Sequence, residues 1–228
     1  MDKKKSVLSK PVVNAIIRAV VFDLGGVMVA DAHTPMLRKL VLSKWSEYSE
    51  PEFKKLFETS KAAWKFLEVK QITEMEFWAR IIDASCLLKG ETTTTLASRL
   101  RKERLIPFYR MFGLAARLRD TRTVTGLLTN YCEEWFVDLW QKFQLEQLFN
   151  RNLAITSFDV KAAKPDPKIY RHLESVLWLN HQIKPEQTFF IDDKIENVDA
   201  AKKLGFQGMV FDSRKDWFMN LENAVRMA

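Results

Sequence analysis

The sequence predicts an α/β fold: a Rossmann-like parallel sheet core with helices on both faces and an inserted helical cap. Three observations lead there. Short β-branched and apolar runs recur without polar alternation, as strands covered on both faces require. After Pro107 each such run is followed by a helical stretch, the pattern of parallel βα units. Residues 34 to 106 carry no such run and instead place aromatic residues at helical spacing.

The first strand is read at residues 18 to 24, Arg-Ala-Val-Val-Phe-Asp-Leu, which close in a tight turn at Gly25-Gly26. The helical block follows, with Trp45, Phe53, Phe57, Trp64, Phe66, Phe77, Trp78, Ile81 and Leu88 as its anchors. Thr73 with Glu76 three positions on forms a capping box, so a helix is expected to start there. The aromatics are expected to form this block's own core rather than a platform for a ligand. Strands return at Thr123 to Leu128, ending at Thr129-Asn130, at Leu153 to Thr156 ahead of the Lys164 segment, and at Thr188 to Ile191, ending at Asp192-Asp193. A helix with Val198, Ala201 and Leu204 on one face stops at Gly205, and Gly208 to Phe211 is the last strand. The expected division is a core of residues 17–33 and 107–228, a cap of 34–106, and an N-terminal extension of 1–16.

Composition narrows the function classes. With 228 residues, 47% hydrophobic, 29% charged and only 7 Gly and 7 Pro, the chain is neither disordered nor collagen-like. The longest apolar stretch, Val12 to Ala30, is interrupted by Asn14, Arg18 and Asp23, so no membrane span is expected. The N-terminal Met-Asp-Lys-Lys-Lys does not lead into a signal peptide, which makes the cytoplasm the expected compartment. Cys86 and Cys132 fit no metal-ligand spacing and read as reduced thiols. There are 36 basic and 29 acidic residues, a net charge of +7. Apart from Lys3 to Lys5 the bases alternate with acids, so the charge reads as a mixed solvated surface, without a nucleic-acid or membrane partner.

The polar residues fall where such a sheet presents chemistry. Ligands of open parallel sheets lie beyond the carboxyl ends of the strands, and Asp23, Thr129, Asn130, Asp192 and Asp193 all sit at or just after those ends. An apolar run gains nothing by ending in a buried carboxylate such as Asp23 unless a cation is there. Thr129-Asn130 reads equally well as a phosphate contact and as a helix N-cap. Lys164 alone could be a surface lysine before a Pro-Asp-Pro turn, and Asp192-Asp193 alone could be two solvated loop acids.

Four motifs in this order resemble those of the haloacid dehalogenase superfamily: Phe22-Asp23-Leu24-Gly25-Gly26-Val27, Leu128-Thr129-Asn130, Lys164-Pro165-Asp166-Pro167, and Phe190-Ile191-Asp192-Asp193 continuing to Glu196-Asn197. The resemblance runs from about residue 17 and is to the cap-bearing subfamily I. It implies a Mg²⁺-dependent phosphatase acting on a small phosphorylated metabolite through an aspartyl-phosphate, as a monomer or homodimer. Asp23 would be the nucleophile. Asp23, the Gly25 carbonyl, Asp192 and Asp193 would form the metal site, with Asp193 the direct ligand and Asp192 behind it near Lys164. Thr129 and the Asn130 N–H would hold the phosphoryl group, Lys164 would supply positive charge, and Asn197 would orient the loop after Asp193.

One position departs from the resemblance. Phosphatases of this kind carry an aspartate two residues after the nucleophile as acid and base, and here Gly25 stands there. The alternatives are therefore a weak or inactive phosphate-binding pseudoenzyme, and dehalogenase chemistry, against which the Asp192-Asp193 pair speaks. Asp31 and His33 are the nearby residues that could lend a proton. A side chain at Gly25 would be strained if that glycine sits at positive φ.

Overall fold

The computed structural model describes residues 16–30, 50–84, 92–95 and 106–214. Asp31, His33, Trp45, Cys86, Leu88 and the expected extension up to residue 15 lie outside them.

Five strands form one parallel sheet: β1 (Ala19–Phe22), β2 (Val124–Thr129), β3 (Ala154–Thr156), β4 (Thr188–Asp192) and β5 (Gln207–Val210). Their order is β3-β2-β1-β4-β5, so β1 is central. All five expected strands are present, with ends shifted by one or two residues. β1 is shorter than the apolar run, because Leu24 already belongs to a turn in which its carbonyl accepts from Met28 N (3.0 Å) and Val29 N (2.9 Å).

Continuous burial of β1 reflects cover on both faces. Val20 and Phe22 point to one side and pack with Leu127, Ile191 and two helices, α3 (Tyr109–Asp120) and α4 (Glu133–Lys142). Ala19 and Val21 point to the other, packing with Leu128, Phe190 and α6 (Pro167–His181) and α7 (Ile195–Lys203). The period of two along the strand divides one apolar run between two cores. α5 (Ser157–Val160) is a single turn after β3. Asp166 caps α6 by accepting from Lys168 N (2.8 Å), with Pro167 in the first turn where its missing N–H costs nothing.

Between β1 and α3 lie α1 (Glu50–Leu67) and α2 (Glu74–Ala84). Leu56, Ser60, Ala63 and Leu67 form the buried stripe of α1 at helical spacing. The capping box is present: Glu76 accepts from Thr73 N (2.7 Å), and Thr73 Oγ1 accepts from Glu76 N (3.2 Å). Phe77, Trp78 and Ile81 are fully buried, but in one cluster with the apolar face of the sheet layer rather than in a separate core of the helical pair, and Phe57 and Trp64 are only half-buried. Ala30 N donates to Ile106 O (2.8 Å), so the stretch between them departs from and returns to one place beside β1. The helical pair is fastened to the sheet layer near one corner. Buried Glu74 accepts from the indole N–H of Trp135 (2.7 Å) in α4, Ser157 Oγ donates to Glu68 O, and Lys70 pairs with Glu133. No helix among the described residues is long and apolar enough to cross a membrane.

Candidate active site

Strand register assembles the site. Phe22 pairs with Leu127 on one side and Ile191 on the other, so Asp23 emerges between the ends of β2 and β4. This is where the chain switches direction across the sheet, having built β2 and β3 on one side of β1 before β4 on the other. Asp23 N donates to Ile191 O (2.8 Å), carrying the ladder one residue past β1.

Lys164 is the hub and is not a surface lysine: it is only 5% exposed. Its Nζ lies 2.9 Å from Asp23 Oδ1 and 2.6 Å from Asp192 Oδ2, and it donates to Leu128 O at 2.8 Å, which uses all three ammonium protons. Asn130 explains how a loop residue is held there. Its carboxamide accepts from Lys164 N and donates to Lys164 O, both at 2.8 Å, as a neighbouring strand would. Burial works against the charge on Lys164, but Asp192 and Asp23 outweigh it and hold the ammonium above the ordinary lysine range. Burial likewise pushes Asp23 up to about 7, with Lys164 opposing and the neighbouring acids Asp192 and Asp193 adding to the rise.

Thr129, the last residue of β2, is fully buried, and its hydroxyl has no hydrogen-bond partner among the described residues. The helix that follows is capped at Cys132, without a side-chain cap bond, so Thr129-Asn130 does not serve as an N-cap. That removes the structural alternative for the pair and leaves an unused hydroxyl facing the site.

Asp192 and Asp193 divide their work. Asp192 Oδ1 accepts from Lys194 N and Asn197 Nδ2, each at 2.9 Å, while Oδ2 takes Lys164. Both its oxygens are thus engaged in positioning Lys164 and the turn. Asn197 is buried, and its carbonyl accepts from Tyr170 Oη (2.9 Å), so α6 steadies the same loop.

One oxygen from each of Asp23, Asp192 and Asp193 falls within a 4.8 Å cluster. Three carboxylates against one buried ammonium leave negative charge that a hard dication would balance. An all-oxygen donor set also suits Mg²⁺ rather than zinc, so the residues present fit that metal. The glycine that makes room is Gly26, not Gly25. Gly26 has φ +83°, and a Cβ there would lie 2.5 Å from both Cγ and Oδ2 of Asp193. Gly25 has no positive φ and meets only Tyr131 Cε2, at 3.3 Å. Gly26→Ala is therefore expected to displace the Asp193 carboxylate and to cost at least about 1 to 2 kcal/mol of stability from the backbone alone. Thermal unfolding with and without Mg²⁺ checks both effects; an unshifted melting temperature and an intact response to Mg²⁺ would contradict this role.

The site opens into a cavity of about 380 Å³. Asp23, Thr129, Asn130, Lys164 and Asp193 form its floor, and α1 supplies the opposite wall through Phe57, Lys61, Trp64 and Lys65, with Glu68 just beyond it. Sequence reading missed this wall. From the sequence Phe57 and Trp64 read as local core, and Glu68 carries no signal except its position four residues after Trp64. Tyr131 and Trp135 also line the cavity and join Trp64 in an aromatic cluster, with ring centroids 5.3 to 6.3 Å apart.

A family model described as haloacid dehalogenase-like hydrolase matches residues 20–211. The chain belongs to the haloacid dehalogenase-like hydrolase family. An enzyme of this family from Bacteroides thetaiotaomicron superposes with a TM-score of 0.70 at 23% identity, covering 91% of this chain and 99% of that one. The same Bacteroides enzyme in complex with magnesium and inorganic phosphate gives a TM-score of 0.63 at 23% identity over 90% of this chain and 98% of that one. A family hydrolase from Porphyromonas gingivalis gives 0.64 at 24% identity, covering 93% and 99% of the two chains. At these identities the likeness speaks for the fold. No curated protein matches the sequence.

Proposed function

We propose that this hydrolase is a Mg²⁺-dependent phosphatase for a small organic phosphate, with α1 and α2 acting as the cap over its site. The observation that carries the reading is the convergence on one cavity of a buried carboxylate beside a buried ammonium, Asp23 and Lys164, with the unpartnered hydroxyl of Thr129. Asp23 Oδ1 is held by Leu24 N (2.7 Å) and Lys164, while no described residue hydrogen-bonds Oδ2, the oxygen available to attack phosphorus. In-line attack forms an Asp23–phosphorus bond and expels the alcohol; water then opens the acyl phosphate and returns the carboxylate. Thr129 donates to a phosphoryl oxygen, and Lys164 favours the ionised form of Asp23 against the effect of burial and steadies the charge that develops. Bound Mg²⁺ supplies the positive charge that lets a carboxylate and a phosphate meet.

The deciding experiment is turnover of a panel of phosphorylated metabolites with and without Mg²⁺. Mg²⁺-dependent release of phosphate supports the reading, and binding without turnover across the panel would replace it with the phosphate-binding alternative.

Metal binding has its own readout. By mass action a saturating ligand at one hundred times its Kd adds about 2.7 kcal/mol, or roughly 5 to 10 °C in Tm for a chain of this size. Calorimetry is expected to show Mg²⁺ binding to the wild type, and Asp193→Asn to remove most of it together with the Tm gain. The gain should also depend on pH. Because burial raises Asp23 to about 7 without metal, its proton favours the folded state below that pH, and this contribution is lost as pH rises through 7. Metal and proton compete for the carboxylate, so the Mg²⁺-induced Tm increase should grow from pH 5.5 to pH 8. Equal binding by wild type and Asp193→Asn would show that the metal site is misassigned.

A further inference from the structure

Expelling an ordinary alkoxide from phosphorus requires a proton, and Gly25, two places after Asp23, has none to give. The space beside it is closed by the Tyr131 ring, whose Cε2 would touch a Cβ there at 3.3 Å. Tyr131 meets Trp64 of α1 edge to face, centroids 6.2 Å apart and rings at 89°. The Trp64 side chain in turn hydrogen-bonds the Glu68 carboxylate, four residues on along the same face. Glu68 lines the same cavity as Asp23, Gly25 and Lys164, and its main-chain carbonyl is held by Ser157 Oγ from the sheet layer. A carboxyl from the helical wall is thus fastened at both its backbone and its head.

We propose that Glu68 is the general acid and base of this site, protonating the leaving oxygen as Asp23 attacks and then taking a proton from the water that opens the aspartyl-phosphate. The proposal rests on the phosphatase reading. In the first step the phosphorus–oxygen bond to the alcohol breaks, the Asp23–phosphorus bond forms, and the Glu68 proton passes to the alcohol. In the second, a water proton passes to Glu68 while its oxygen displaces Asp23, so both carboxyls return to their starting states.

The surroundings suit the task. Burial pushes Glu68 up to about 7, against the Trp64 hydrogen bond and the charges of Lys194, Lys164 and Lys65, so both protonation states are populated near neutrality. Lys61, Asp193 and Glu196 also line the cavity. The other carboxyls there have different work or setting: Asp23 attacks, Asp193 belongs to the acidic cluster, and Glu196 is exposed on α7.

The test compares kcat/KM for phenyl phosphate and 4-nitrophenyl phosphate, since phenoxide needs protonation more than nitrophenoxide. Glu68→Gln is expected to lose about 10² to 10³-fold on phenyl phosphate, against less than about 10-fold on the nitrophenyl ester. The descending limb of the wild-type pH profile should disappear with it, and Glu68→Asp should recover part of the phenyl phosphate rate. Mg²⁺ binding to Glu68→Gln, measured by calorimetry, should match wild type. Equal losses on both esters with the pH limb intact, or loss of Mg²⁺ binding, would overturn the assignment. A wild type inert toward both esters would overturn the phosphatase reading and this proposal together.

Discussion

Asp23→Asn is expected to abolish phosphate release, with 4-nitrophenyl phosphate turnover falling by at least about 10³-fold, because the amide keeps the shape of the side chain but cannot attack phosphorus. The fold should survive. Burial, with the neighbouring Asp192 and Asp193 adding to it, disfavours the ionised form of Asp23 in spite of Lys164, so neutralising it removes that cost. The Tm of the metal-free variant should therefore equal or exceed that of the wild type even as activity vanishes. Turnover above about a tenth of wild type would rule out Asp23 as the nucleophile.

Lys164→Met is expected to have the largest effect on stability. The ammonium lies 2.9 Å from Asp23 and 2.6 Å from Asp192, and all of these groups are buried. Breaking a buried pair by removing one partner typically costs about 3 to 5 kcal/mol, because the remaining charge keeps its desolvation penalty. For a chain of this length that is a Tm drop of roughly 6 to 20 °C. The loss should shrink at low pH, since the stranded carboxylates can then take up protons, and Lys164→Met combined with Asp192→Asn should regain part of it. Thermal scans at pH 5.5 and 8 measure both effects. A drop independent of pH would mean that packing, not charge, is what Lys164 provides.

How much of this was legible in the sequence follows from the range of the interactions. Strands covered on both faces announce themselves locally, because every residue of Ala19–Phe22 or Thr188–Asp192 faces an apolar environment. Their polar ends were readable for the same reason: Asp23, Thr129 and Asp192 interrupt or end runs that burial would otherwise keep apolar. Lys164, Asn130 and Asn197 needed the motif spacing as well, since nothing local distinguishes a buried lysine from a surface one. Which glycine makes the close approach was not legible, because it depends on Asp193 arriving from β4 against Gly26. Nor was the cavity wall. Periodicity marks Phe57, Trp64 and Phe77 alike as apolar and does not say which of them the sheet layer leaves uncovered. Glu68 acquires its setting from Trp64 in the last turn of α1 and from Lys164 and Lys194, far along the chain.

The central position of β1 has a consequence for how the protein comes into being. Phe22 is synthesised well before its partner Ile191, which follows about 170 residues later. Loop closure of that span must be met before the middle of the sheet can zip, which favours slow, late consolidation over stepwise growth from the N-terminus. A nascent chain that has not yet made β4 lacks Asp192, Asp193 and Asn197 together. It cannot hold the acidic cluster or bury Lys164 against it. The acidic cluster thus forms only once β4 has been made and has paired with β1.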